Sequence, residues 1–239
     1  MLFGGVVAAL AGLLIGLPAL RLKGDYLAIV TLAFGEIVKT LFTNIPLFGG
    51  PLGLSNRRYD RATLFIVIFV TAIVSVAIVN NFIRSKHGRA VTAIRDNEIA
   101  ARAMGVDVTF YKLAVFVLSS FLAGAGGAAL SASSTQITAD GFNYNYSINI
   151  LVMVVLGGMG SMLGSILSAT VLTILPELLR SFSDYRMVVY SLALVVMMIF
   201  RPKGLLGSYD FSLSRSLEKF LNRLTGRTTK TQKEAAENE

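Results

Sequence analysis

The sequence predicts an all-α protein, a polytopic transmembrane helical bundle of about seven passages, and three observations predict it. Of its 239 residues, 54% are apolar and 15% charged, against about 45–50% and about 25% in an average soluble domain. Mean hydropathy is +0.67. The charges are also clumped, since residues 1–20, 62–83, 113–139, 141–176 and 187–200 contain no Lys, Arg, Asp or Glu. A spanning helix needs about 20 apolar residues to cross about 30 Å of hydrocarbon, so these runs point to a bilayer as the solvent.

The same composition excludes other classes. With no Cys there is no disulfide framework, thiolate nucleophile or Cys-ligated metal. The single His, His87, makes no metal cluster. No G-x-x-x-x-G-K-[ST] occurs, so the chain has no phosphate-cradling loop with which to hydrolyse ATP itself. No catalytic residue or cofactor is implied. The formal charge of +8 does not mark a nucleic-acid surface, because the basic residues flank apolar runs, which is membrane topology.

The first run, residues 1–20, is followed by its positive charges, Arg21 and Lys23. A secretory signal has the opposite polarity, so this is read as a retained helix. The second run, 26–47, is broken by Glu36 and Lys39, and a Gly/Pro-containing loop, 49–61, leads to an uninterrupted third span, 62–83. Residues 84–112 are the one long polar segment between spans; 113–132 form the fourth, followed by a Ser/Thr/Asn/Tyr loop, 133–146. Two short arms come next, 147–156 and 162–179, separated by Gly157, Gly158, Met159, Gly160 and Ser161. Such glycines suit a tight turn better than a helix interior. They are read either as a broken helix lining a transport cavity or as an ordinary tilted hairpin. Residues 187–200 form the last passage, closed by Arg201 and Pro202.

Loop charges orient the bundle. With the N-terminus outside, sixteen Lys and Arg fall on the cytoplasmic side and five outside, with Lys39 within a span. The bias supports an external N-terminus and a cytoplasmic C-terminus, although the Arg57–Arg58 pair runs against it. Small residues recur every fourth position at Gly4, Ala8, Gly12 and Gly16, at Ser120, Gly124, Ala128 and Ala132, and at Gly160, Gly164 and Ser168. In lipid, close backbone approach through small residues supplies helix packing, so these rows are expected to be contact faces.

Two places could carry function. Glu36 and Lys39 lie three residues apart within a span, share a helix face and can pair. A charge at the bilayer centre costs about 2.5–3.5 kcal/mol on insertion scales, so the pair marks either a polar pathway or gate, or a structural ion pair near a helix end. The 84–112 segment carries Ala90, Ala93, Ile94, Ile99, Ala101 and Met104 at helical spacing, with Asp96 and Glu98 among Arg89, Arg95 and Arg102. Gly105 sits where a helix C-cap is favoured. This reads as one short amphipathic cytoplasmic helix, docking on a soluble partner or lying on the anionic leaflet.

Three stretches decide between these last two. Residues 17–39 (LPALRLKGDYLAIVTLAFGEIVK), 88–118 (GRAVTAIRDNEIAARAMGVDVTFYKLAVFVL) and 147–164 (SINILVMVVLGGMGSMLG) with LPELLR at 175–180 and FRPKGLLG at 200–207 resemble the branched-chain amino-acid ABC permease family, specifically its LivM-type subunits. The resemblance covers most of residues 10–207 in family order. It implies an importer permease for branched-chain or related small amino acids in a bacterial-type inner membrane. The implied partners are a second permease subunit, two cytoplasmic ABC ATPase subunits and an external substrate-binding protein. It also implies an EAA-type loop docking in a groove of the ATPase. Ala100, Ala101 and Gly105 fit its Ala-Ala-x-x-x-Gly part, while Glu98 stands one place upstream of the motif's Glu. Asp96 and Glu98 are the charges expected to orient the docked helix. Members usually have further spans before this point, so the resemblance implies that the usual N-terminal spans are lacking here.

Residues 1–207 are thus expected to form the permease domain, with its coupling loop at 84–112. In the remaining 208–239, Leu217, Phe220, Leu221 and Leu224 make an apolar stripe beside Arg215, Lys219, Arg223 and Arg227. This is expected to be an interfacial helix on membrane lipid, followed by a disordered end from Thr228. Two rivals stand beside the importer: an ion-coupled secondary transporter with Glu36 as proton carrier and Lys39 as counter-charge, and a non-transporting membrane scaffold.

Overall fold

The computed structural model describes residues 1–22, 24–56, 60–158 and 160–178, together with Ser191, Leu192 and Val195. The expected passage at 187–200, but for those three residues, and the tail at 208–239 lie outside the described residues. Within the described residues the chain is helical: α1 (Leu2–Ala19), α2 (Asp25–Asn44), α3 (Arg61–Arg84), α4 (Lys86–Asp96), α5 (Glu98–Ala103), α6 (Val108–Ser133), α7 (Tyr144–Gly157) and α8 (Met162–Leu178). Four of these, α1, α2, α3 and α6, are long and apolar enough to cross a membrane. The protein is an all-α polytopic membrane protein.

Helix boundaries follow local chemistry. Pro46 disfavours the helical region for the residue before it; Ile45 is extended at φ −86°, ψ 116°, and α2 stops at Asn44. Asp60 caps α3, its carboxylate accepting from the Thr63 amide at 3.4 Å. Asp107 does the same for α6 through Phe110 at 3.1 Å, so that helix begins before the apolar run at 113.

The chain divides into two compact units, 1–146 and 147–239. In the first, the two predicted small-residue rows face each other across an antiparallel α1–α6 crossing. A Cβ on Gly124 would stand 2.6 Å from the Gly4 carbonyl oxygen, one on Gly12 2.6 Å from Ser120 Cβ, and one on Gly16 2.9 Å from a Phe116 ring carbon. Close approach of this kind through small residues holds helices together where lipid offers no hydrophobic drive. By contrast, α3 buries no residue among those described, leaving its apolar surface to lipid or to other proteins.

The loops of this unit gather at its two ends. After α2 and α6, the short strands β1 (Leu54–Ser55) and β2 (Gln136–Ile137) pair antiparallel, Leu54 opposite Ile137. Asn56 ties the same loops together, its side chain donating to the Ser131 carbonyl at 2.9 Å. At the other end, α4 and α5 pack against the start of α6.

In the second unit, α7 and α8 are antiparallel, with Gly157 against Gly164 and Ser168 Oγ donating to the Met153 carbonyl. Ser168 and Leu172 are almost fully buried. The third predicted row therefore packs through Gly164 and Ser168, while Gly160 belongs to the turn.

Candidate functional site

The polar segment after α3 is a corner of two helices, not the single helix its spacing predicts. Ser85 caps α4, accepting from the Gly88 amide at 3.1 Å. Asn97 then leaves the helical region (φ −156°, ψ 103°) and caps α5 through its side-chain oxygen, which accepts from the Ala100 amide at 3.0 Å. Asn is among the best N-cap residues, and that signal was available in the sequence. Gly105, at φ +83°, turns the chain toward α6.

The corner sorts the apolar residues into two sets. Ile94, Ala101 and Val108 form a buried cluster backed by Val106 and Tyr111. Ile99 and Met104 point away and are 82% and 84% exposed; Ala100 is exposed beside them. Of the predicted docking residues, Ala101 thus faces its own core, whereas Ala100 and Gly105 lie on the surface. Asp96 pairs with Arg95 at 3.0 Å. Glu98 bonds to Lys112 at 2.7 Å and Arg102 at 3.3 Å, anchoring α5 to the second turn of α6. Both pairs are at least a third exposed, so solvent screening limits each to about 0–1 kcal/mol. The Lys112 partnership was not legible in spacing, because it joins separate helices.

At the opposite end, Lys39 and Glu36 pair as predicted, at 3.8 Å, but the shorter contact is from Lys39 to Asp140 at 3.2 Å. Asp140 lies in the 3-10 turn Ala139–Phe142 that precedes α7, and nothing in the sequence marked it as a partner. Lys39 also lines a cavity of about 390 Å³ between α2, the loop after it, β2 and that turn. Apart from Lys39 and Thr138, its lining is apolar or glycine. Among the described residues, no group of three or more His, Asp or Glu comes together as a metal site would need.

The 157–161 segment is a reversal between two short helices. Gly158 and Gly160 both take φ +103°. Ser161 is buried, and its Oγ accepts from the Gly164 amide at 3.1 Å, capping α8. The Gly158 amide donates to the Val155 carbonyl at 3.1 Å, and the Ser161 amide to the Gly158 carbonyl at 3.0 Å. At 14 and 17 residues, the arms reach only about 21 and about 26 Å at about 1.5 Å per residue. Both fall short of the about 30 Å of a hydrocarbon core. Gly158→Val is expected to cost about 1–3 kcal/mol, because a β-branched residue fits a positive φ badly. Denaturant unfolding in detergent measures it; an unchanged midpoint would show that the turn does not need the glycine.

Comparison with known proteins bears on what these features serve. Residues 1–200 match the family described as "Branched-chain amino acid transport system / permease component". The chain is 37% identical over 235 residues to the high-affinity branched-chain amino acid transport system permease protein LivM of Salmonella typhimurium, covering 84% of this chain and 55% of that one. The Escherichia coli LivM gives the same identity and coverage. A probable LivM of Methanocaldococcus jannaschii is 24% identical over 231 residues, covering 84% of this chain and 66% of that one. The chain thus spans about half the length of the two bacterial relatives. No solved structure matches it.

Proposed function

Because the chain belongs to the family of branched-chain amino acid transport permease components, we propose that it is a permease subunit of an ABC importer for branched-chain or related small amino acids. The observation that carries this reading is the match over residues 1–200, which takes in every described helix. In this reading a second permease subunit completes the pathway, an external binding protein delivers the substrate, and two cytoplasmic ABC ATPases supply the energy.

Transport proceeds by alternating access, the spans rocking about a central site. The excess of Lys and Arg supports a cytoplasmic α4–α5 corner and an external β1–β2 end. The corner then serves as the coupling element. Ile99 and Met104 are its exposed apolar side chains, suited to seat in an ATPase groove. Ala101 supports them from within, and Glu98 holds α5 against α6. Asp96, on the exposed side of α4, contributes charge at the edge of the contact.

Uptake of radiolabelled leucine into right-side-out vesicles loaded with ATP and carrying the chain with its partner subunits tests the reading. ATP-driven, vanadate-sensitive uptake is expected. Uptake that ignores vanadate and follows the proton gradient would instead favour a secondary transporter built on Glu36.

A further inference from the structure

The cavity beside Lys39 has two properties that belong together. Its walls include Val38, Phe42, Phe48, Leu54, Ile137 and Phe142, and its volume is about 390 Å³, within the usual range of about 300–1,000 Å³ for small-ligand sites. Its charged wall residue is Lys39, whose Nζ lies 3.2 Å from Asp140 and 3.8 Å from Glu36. The second distance exceeds a hydrogen bond. An ammonium has three donors in all directions of its tetrahedral head, so a further acceptor can be taken without breaking the Asp140 contact. Asp140, which like Glu36 stands beside Lys39 and not in the lining itself, is 74% exposed at its side chain.

A cation flanked by two carboxylates, at the edge of an apolar chamber, matches a ligand that bears both charges at one end and hydrocarbon at the other. We propose that this cavity is a binding site for a zwitterionic amino acid with an apolar side chain. The ligand carboxylate meets Lys39 Nζ, its ammonium meets Asp140 and Glu36, and its side chain lies among Phe42, Phe48 and Ile137. The local charge is net negative, which disfavours an anion lacking the ammonium. An amine lacking the carboxylate forfeits Lys39. The assignment rests on the permease reading for its place in transport, as a station at one end of the pathway, but binding itself requires no ATPase.

The test is equilibrium binding of radiolabelled L-leucine to the full chain in lipid nanodiscs. Saturable binding is expected, weakened about tenfold or more by Lys39→Met through loss of a charged hydrogen bond. Lys39→Arg should stay within about threefold, since it keeps charge and donors. Phe42→Trp, which fills the chamber and leaves the charges alone, should also weaken binding. Neither 4-methyl-2-oxopentanoate nor 3-methylbutylamine should compete. If Lys39→Met does not fold, the Arg and Trp variants and the two competitors decide. Absence of saturable binding to the folded chain, binding indifferent to these substitutions, or equal competition by the oxo acid overturns the site. Vanadate-sensitive uptake by the assembled importer, measured in parallel, separates the two claims. Uptake without Lys39-dependent binding rejects the site and keeps the permease; Lys39-dependent binding without ATP-driven uptake does the reverse.

Discussion

Gly124→Leu is expected to force α1 and α6 apart and to lower the stability of the folded chain by about 3 kcal/mol or more, the upper end of over-packing costs. That is about a hundredfold in the folding equilibrium. The reason is what a new side chain would meet. At Gly124 a Cβ runs into the Ala8 Cβ and stands 2.6 Å from the Gly4 carbonyl oxygen. A backbone carbonyl cannot rotate away as a flexible side chain can, so the helices must separate and lose their shared small-residue face. Gly126 supplies the control, because a Cβ there meets nothing within 4 Å. Gly126→Leu, the same change on the same helix, should leave stability within about 0.5 kcal/mol, as surface substitutions do. Unfolding in SDS or on heating in detergent compares them. Equal losses at the two positions would show that α1 and α6 do not meet through this face.

Replacing Ile99 and Met104 together with Asp should abolish ATP-driven uptake while leaving the chain folded. Both side chains are more than four-fifths exposed, so charge there disturbs little of the chain's own packing. In a groove of a partner, however, each carboxylate would be desolvated without a counter-charge, at a cost that easily exceeds 1–3 kcal/mol per group. A loss of uptake of at least about tenfold is therefore expected. Ala101→Trp should fail differently. Ala101 is 5% exposed and packs with Ile94 and Val108, so the indole over-fills the corner and lowers thermal stability as well. Because the chain contains no Cys, Ile99→Cys can be crosslinked to the ATPase without background, and Ala101→Cys should crosslink poorly. Normal coupling in a folded Ile99→Asp/Met104→Asp variant would remove the docking role from this surface.

How much of this was legible beforehand differs from element to element. The spans were readable because a stretch such as 62–83 excludes every charge, and partition into lipid depends on composition alone. The small-residue rows were readable as faces, because Gly4, Gly12 and Gly16, or Ser120, Gly124 and Ala128, line up at helical spacing. The Glu36–Lys39 pairing was readable for the same reason. The corner was only half legible. Apolar spacing placed Ile94, Ile99, Ala101 and Met104 on one helix, but Asn97 interrupts it and turns Ile99 and Met104 outward. A cap competes with helix continuation over a single residue, and periodicity averages over that contest.

By itself, then, the sequence determined what depends on single residues and their spacing: an all-helical membrane chain, where its four long apolar helices among the described residues lie, and which faces are smooth enough for close contact. Tertiary structure alone decided which faces meet. It matched the row on α1 with the row on α6, brought Asp140 to Lys39, set Glu98 between Arg102 and Lys112, and closed Gly157 upon Gly164. The physical reason is that solvent preference and helical period act locally and add along the chain. Partner choice depends on the fit of backbone surfaces and charges far apart in sequence, and that fit exists only once the helices are placed.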